Sequence, residues 1–320
     1  MFEPRLSQQQ VLSYEAGKLG ISAVPGSGKT YTLSALAAKL LQESRLRDDQ
    51  EILIVTLVNS AVDNFTNRIQ RLMRSYGLIP NIGYRVRTLH GLAHDIVRER
   101  PDLAGLANDF GISDENESKS LLIRITEGWL GDNPDFTSHW MIPESSNNRW
   151  KLEKQFLETM ADVAGNLIRL AKDEQITPGQ LEALIDRIGY PSNLLRFARD
   201  VYSEYQRVLF QRGMVDFDDL IRLALQVLQA DPEYLRQLRY QFPYILEDEA
   251  QDSSRLQEVI LRQLAGPEGN WVRVGDPNQA IFETFTTASP EFLKRFLKEP
   301  DVKYIPLPES GRSALPIVKL

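Results

Sequence analysis

The chain has 320 residues, of which 42% are hydrophobic and 25% charged; it has no cysteine and a net charge of −7. This composition is ordinary for a globular protein, and it excludes a disulfide framework or a thiolate metal site. No apolar run approaches the roughly 18 residues of a membrane span, so we expect a cytoplasmic protein with no membrane partner. The acidic balance excludes charge-driven nucleic-acid binding over the whole surface and restricts such binding to a local patch.

Residues 19–42 carry a short apolar strand, a glycine-rich turn and leucines at helical spacing, in that order. This is the context of a phosphate-binding loop, here Ala23-Val24-Pro25-Gly26-Ser27-Gly28-Lys29-Thr30. Its glycines let backbone N–H groups face a phosphate, Lys29 can reach the terminal phosphates, and the Thr30 hydroxyl can bind Mg²⁺. The strict pattern has glycine in place of Ala23, and a turn before an ordinary helix is the alternative interpretation.

A basic segment follows the next predicted strand, Glu51–Thr56. No acidic residue occurs between Asp63 and Asp95, although this stretch contains Arg68, Arg71, Arg74, Arg85 and Arg87. Its second half includes another predicted strand, Tyr84–Thr88. A solvated helix face explains the first three arginines but not the missing acids, so we interpret the segment as the local basic patch.

Composition changes after about Arg100, where residues 101–149 are acidic and interrupted by glycine and proline. Apolar residues then recur at helical spacing from Leu152 to Leu170 and again after Pro191. We therefore predict a mostly helical domain at residues 98–212, inserted into an α/β domain formed by residues 1–97 and 213–320.

An acidic cluster, Glu247–Asp252, directly follows the predicted strand Tyr244–Leu246. Nucleotide hydrolysis needs a magnesium ligand and a group that activates water. Asp248 suits the first role and Glu249 the second. Gln279 follows the end of another strand, where its amide could hydrogen-bond the γ-phosphate. A solvated loop is the alternative for the acidic cluster alone.

Together these segments resemble the N-terminal half of a UvrD/Rep-type superfamily 1 DNA helicase. The matching motifs occur in the family's order, at Leu6–Gln10, Ala23–Thr30, Thr56–Asn59, Arg87–Gly91, Asp248–Asp252, Gly275–Phe282 and Gly311–Ser313. The resemblance implies an α/β fold, a RecA-like P-loop NTPase with a mostly parallel sheet, plus an inserted mainly α-helical subdomain. It also implies a monomeric, ATP-hydrolysing 3′→5′ helicase that binds ATP, Mg²⁺, and single-stranded and forked DNA.

The resemblance assigns roles to individual residues. The nucleotide contacts that it implies are Gln10, Ala23, Val24, Pro25, Gly26, Ser27, Gly28, Lys29, Thr30 and Tyr31, with Gln10 reading adenine. The catalytic residues are Lys29, Asp248, Glu249, Gln279 and Arg312, and the Mg²⁺ ligands are Thr30 and Asp248. The DNA contacts are Thr56, Asn59, Thr88, His90 and Phe285.

The sequence also departs from the family pattern. Leu57 replaces a frequent phenylalanine, Glu247 stands where an apolar residue is usual, and Gly311 replaces a common tyrosine. Family members continue into a second RecA-like domain, so we expect this chain alone to bind nucleotide weakly, to hydrolyse it slowly and not to unwind duplex DNA. The alternatives are the motor part of an AddA/RecB-like helicase–nuclease and an ATP-gated switch without translocation.

Overall fold

The computed structural model describes residues 4–140, 149–189, 192–279 and 289–311. The β-strands in these residues are β1 Lys18–Ala23, β2 Ile52–Thr56, β3 Tyr84–Thr88, β4 Gly111–Ile112, β5 Met214–Val215, β6 Tyr244–Glu247, β7 Asn270–Gly275 and β8 Val302–Leu307. The α-helices are α1 Leu6–Leu12, α2 Lys29–Gln42, α3 Asn59–Ser75, α4 Leu89–Glu99, α5 Glu115–Asp132, α6 Pro134–Trp140, α7 Arg149–Asp173, α8 Pro178–Ile188, α9 Asn193–Gln211, α10 Phe217–Ala230, α11 Pro232–Gln241, α12 Arg255–Ala265 and α13 Pro290–Phe296. None of the described helices is both long enough and apolar enough to span a membrane.

The described chain divides into two compact units. The first contains residues 4–96, 224–279 and 289–311, and the second contains the described residues between 97 and 223. The predicted assignment of residues 98–212 to an inserted domain stays a prediction.

The first unit is built on a six-stranded parallel sheet in the order β3-β2-β6-β7-β1-β8. All five residues of β2 are buried, as expected for a central strand covered by helices on both faces. This parallel sheet confirms the predicted α/β, RecA-like fold class.

One face of the sheet is covered by α2 and α3. Leu33, Leu36 and Leu40 of α2 are almost fully buried and belong to one apolar core with Ile21 of β1 and Phe65 of α3. The leucine spacing read from the sequence therefore describes the buried stripe of α2. This packing holds the helix against the strand that precedes the glycine-rich loop.

All six strands of this sheet end at the same edge because they run parallel. Ala23, Thr56, Thr88, Glu247 and Gly275 are the last residues of β1, β2, β3, β6 and β7. The loops that follow these strands therefore meet at the carboxyl edge, which is where ligands bind in open α/β sheets.

The second unit is mainly helical. Its core contains Phe197 and Val201 of α9 together with Ala164 of α7, all at most marginally exposed. Trp129 of α5 makes edge-to-face contacts with Phe136 and Phe197, each at 5.0 Å between ring centroids. These aromatic contacts stabilise the packing of α5, α6 and α9.

Candidate nucleotide-binding site

The glycine-rich loop joins β1 to α2 and has the backbone of a phosphate cradle. Gly26 and Gly28 have φ angles of 76° and 87°, in the left-handed region that side chains disfavour. Gly28 is the N-cap of α2, whose first N–H groups have no acceptor within the helix. The helix N-terminus and the loop together favour an anion here.

Two side-chain contacts bring this loop to the acidic cluster. Lys29 Nζ donates to Glu249 Oε2 at 2.5 Å, and Thr30 Oγ1 donates to Asp248 Oδ2 at 3.1 Å. The first pair is 220 residues apart in sequence and the second 218. The fold thus assembles four of the predicted site residues in one place.

Asp248 is buried in an environment that disfavours its charged form. Its pKa is raised to about 7, chiefly because burial disfavours the charged carboxylate and secondly because Glu249 is close. Lys29 and the hydrogen bond from Thr30 lower the pKa but do not offset the burial. A cation beside Asp248 would stabilise its charged form.

The residues present fit a magnesium–triphosphate group. Ser27 Oγ is buried in the loop without a hydrogen-bond partner among the described residues. Because buried hydroxyls normally have a partner, a polar group of a ligand would satisfy it. No group of three or more acidic or histidine side chains that could hold a metal occurs in the described ranges. Mg²⁺ commonly uses one or two carboxylates together with phosphate oxygens and water, which suits Thr30 and Asp248.

Gln251 connects the acidic cluster to the loop after β7. Its Nε2 donates to Glu249 Oε2 at 2.8 Å, and its Oε1 accepts from the backbone N of Asp276 at 3.1 Å. A Cβ at Gly275 would lie 2.4 Å from Gln251 Oε1, so glycine is required for this approach. Gln279 lies in the same turn, its backbone N donating to the Asp276 carbonyl at 3.0 Å, and its contact with the γ-phosphate stays a prediction.

Gln8 contacts the phosphate loop, and the predicted contact of Gln10 with adenine stays a prediction. Gln8 is 3% exposed, and its Nε2 donates to the Ser27 carbonyl at 3.1 Å. Its Oε1 accepts from the backbone N of Arg5 at 3.0 Å, which orients the side chain. Gln10 is exposed on α1. The phase of this short helix therefore places Gln8, and not Gln10, against the phosphate loop.

The predicted DNA contacts lie near the same edge. Thr56 and Thr88 are direct partners in the register of β2 and β3, and Asn59 is exposed at the first position of α3. The Thr88 hydroxyl also accepts from Gly91 N at 3.1 Å and so stabilises the start of α4, the helix that carries His90. Their contact with DNA stays a prediction, and Phe285 and Arg312 lie outside the described residues.

An open cavity connects the predicted DNA edge with the acidic cluster. Its lining includes Thr56 and Leu57 as well as Asp248 and Glu249. A ligand bound at the end of β2 would thus lie beside Asp248 and Glu249, the carboxylates proposed for hydrolysis.

The basic segment is only partly available for a ligand. Arg85 pairs with Glu51 at 2.7 Å, and Arg87 pairs with Asp95 at 2.9 Å. Arg68 of α3 lies over the ring of Tyr31, 5.5 Å from its centroid. Tyr31 is thereby held against α3, and its predicted contact with nucleotide stays a prediction.

The family model described as UvrD/REP helicase N-terminal domain matches residues 5–301. The chain belongs to the UvrD/REP helicase family. The match includes both the glycine-rich loop and the acidic cluster, which the structure brings into contact.

Similar members of the UvrD/REP family are DNA helicases by name. The chain is 30% identical to the ATP-dependent DNA helicase UvrD1 of Mycobacterium leprae, over 96% of this chain and 37% of the relative. It is 29% identical to DNA helicase II of Salmonella typhimurium, over 96% of this chain and 38% of the relative. It is 28% identical to PcrA of Staphylococcus aureus, over 86% of this chain and 33% of the relative. The chain thus spans less than two fifths of the length of these relatives.

Proposed function

We propose that this chain is the ATP-binding motor portion of a 3′→5′ DNA helicase or translocase that acts on single-stranded and forked DNA. The observation that carries the proposal is the pair of contacts Lys29–Glu249 and Thr30–Asp248, which joins the phosphate loop to the acidic cluster. The family membership and the names of the relatives support the same activity.

Each residue of the site has a distinct part in the proposed hydrolysis. The loop amides and Lys29 bind the phosphates and neutralise charge that develops on the γ-phosphate. Thr30 and Asp248 would hold Mg²⁺, which would supply positive charge that stabilises the reacting phosphates. Glu249 accepts a proton from the attacking water and orients it. Gln279 and Arg312 would report the presence of the γ-phosphate.

We propose that DNA binding at the carboxyl edge of the sheet is coupled to ATP hydrolysis. Thr56, Asn59, Thr88 and His90 would contact the phosphates of a single strand, and exposed Leu57 offers apolar surface to a base. Because Thr56 and Glu249 line the same cavity, a strand bound at the end of β2 can alter the surroundings of the attacking water. We also propose that a second RecA-like domain completes the ATP site, as the resemblance implies.

The decisive experiment measures binding of a fluorescent ATP analogue to the chain, with and without Mg²⁺. Hydrolysis is then measured with increasing single-stranded DNA in the gene product that carries the chain. Magnesium-dependent binding and DNA-stimulated hydrolysis are the expected results. Binding without DNA stimulation would contradict the motor and favour an ATP-gated switch. Duplex unwinding accompanied by DNA cleavage would favour the helicase–nuclease alternative.

A further inference from the structure

Glu247, one of the residues that depart from the family pattern, forms a buried ion pair with Arg273 between two central strands. Its side chain is 2% exposed and that of Arg273 is fully buried. The Nε of Arg273 lies 2.8 Å from Glu247 Oε2, and its Nη2 donates to Oε1 at 3.2 Å. The two residues are direct partners in the parallel register of β6 and β7. The pair therefore fixes the end of β6 relative to β7.

The guanidinium of Arg273 also packs against two aromatic rings. Its central carbon lies 4.7 Å from the ring centroid of Trp271 and 5.1 Å from that of Phe296. A second carboxylate, Glu258 of α12, lies 3.5 Å from Nη1. Such a buried pair is weak support for stability in general, because desolvation offsets most of the attraction. Its position suggests a different purpose.

Glu247 also makes a hydrogen bond across the turn that contains Asp248 and Glu249. Ser253 Oγ donates to Glu247 Oε1 at 2.7 Å, so this hydrogen bond brackets residues 248–252. Within the bracket, Glu249 has a φ angle of 54°, an unfavourable backbone conformation for a non-glycine residue. A turn of this kind persists only when its surroundings hold it.

We propose that Glu247, Arg273 and Ser253 are positioning residues that aim the Asp248 carboxylate at Mg²⁺ by clamping the turn that follows β6. This inference rests on the proposed function. The clamp acts at the base of the turn, while Gln251 holds its tip against Asp276. Groups that orient metal ligands commonly change metal affinity about 10- to 100-fold when they are removed.

The test compares Ser253→Ala with Ser254→Ala. The two serines are adjacent and similarly buried, at 8% and 7% exposure. Ser254 caps α12 by accepting from Gln257 N, whereas Ser253 contacts Glu247. Binding of a fluorescent ATP analogue is titrated with Mg²⁺ and is repeated in EDTA, with thermal unfolding measured in parallel. Ser254→Ala thus controls for the loss of one hydrogen bond beside the turn.

For Ser253→Ala we expect the Mg²⁺ concentration at half-saturation to rise about 10-fold while binding in EDTA is unchanged. For Ser254→Ala we expect the Mg²⁺ concentration at half-saturation to change less than about 2-fold. Equal effects in the two variants, or none in Ser253→Ala, would overturn the clamp. Absence of Mg²⁺-dependent binding in the unsubstituted chain would contradict the proposed function itself, and the clamp with it.

A double variant, Glu247→Leu with Arg273→Leu, tests the ion pair directly. Replacing both charges together avoids an uncompensated buried charge, so the variant is expected to fold. It also removes the acceptor of Ser253, and we expect the same weakening of Mg²⁺ dependence, about 10-fold. A folded double variant with unchanged Mg²⁺ dependence would overturn the proposal.

Discussion

Lys29 Nζ lies 2.5 Å from Glu249 Oε2, so the cation proposed to hold phosphate is paired with the carboxylate proposed to activate water. The lysine side chain is 11% exposed and that of the glutamate is 35% exposed, which leaves the pair accessible from one side. A triphosphate that binds Lys29 would compete with Glu249 for the ammonium group. The Glu249 carboxylate would then be free to accept a hydrogen bond from water. The pair thereby couples nucleotide binding to the availability of the base.

Replacing Lys29 with alanine should weaken nucleotide binding without unfolding the chain. The expected loss is about 10- to 100-fold, because a hydrogen bond to a charged group contributes about 1.5–3 kcal/mol. The measurement is titration of a fluorescent ATP analogue with Mg²⁺. Lys39→Ala is the control, since Lys39 lies on the same helix and pairs with Glu43 at 3.1 Å. Tight binding by Lys29→Ala would contradict the role given to Lys29.

Replacing Glu249 with glutamine should separate binding from hydrolysis. The amide keeps the size of the side chain but cannot accept a proton from water, so hydrolysis is expected to fall about 10²- to 10⁴-fold. Nucleotide affinity should stay the same or increase, because Lys29 loses its competing carboxylate. Single-turnover hydrolysis and equilibrium binding measure the two effects. A parallel loss of both would indicate that Glu249 contributes to the phosphate site rather than to water activation.

The sheet was largely predictable because buried parallel strands have a clear sequence signature. The apolar, β-branched run at Glu51–Thr56 corresponds to β2, and Tyr84–Thr88 matches β3. The terminal strand β8 was missed because Pro306 argues against a strand. Since β8 lies at the edge of the sheet, it tolerates the proline. Helix α5 was missed within a segment that the sequence presents as acidic and interrupted by glycine.

The site was predictable in its motifs but not in its supporting contacts. The phosphate loop and the Asp248–Glu249 pair follow from local spacing and strand ends. Which of the three consecutive glutamines faces the phosphate loop depends on where α1 begins. The sequence alone does not specify that starting residue. The Glu247–Arg273 pair depends on the register between β6 and β7, and a single sequence carries no signal of that register.

The raised pKa of Asp248 predicts a pH-dependent stability. The unfolded carboxyl releases its proton near pH 4, whereas the folded one holds it to about pH 7. The unfolded state therefore binds fewer protons over this window, and the free energy of unfolding falls as pH rises from about 4 to 7. Asp248→Asn removes this dependence and should stabilise the chain above pH 7 by up to about 4 kcal/mol.

This pH effect is measured in EDTA by hydrogen exchange of the β6 amides at several pH values, because exchange reports the free energy of local opening. The variant and the unsubstituted chain should agree near pH 4 and diverge as the pH increases. Identical pH slopes for the two would show that Asp248 ionises normally in the fold.

Gln8→Ala and Gln10→Ala form a matched pair on one helix. Gln8→Ala removes the hydrogen bond to the Ser27 carbonyl and should weaken ATP binding about 5- to 10-fold, equivalent to roughly 1 kcal/mol. Gln10→Ala changes an exposed side chain and should leave the affinity within about 2-fold. Competition between ATP and GTP gives the base preference of each variant. Loss of the preference for ATP in Gln10→Ala alone would support the predicted contact of Gln10 with adenine.

Arg5 and Gly311 should be energetically coupled at the phosphate loop. Gly311 N donates to the Gly26 carbonyl at 2.9 Å, and Arg5 Nη1 donates to the Glu309 carbonyl at 2.6 Å. A Cβ at Gly311 would lie 2.6 Å from Arg5 Nη2, so Gly311→Ala should displace the guanidinium and reproduce the effect of Arg5→Ala. In a double-mutant cycle on ATP affinity, the double variant should therefore be no weaker than the weaker single variant, with a coupling energy of about 0.5–3 kcal/mol. Additive losses would show that glycine at position 311 serves a purpose other than making room for Arg5.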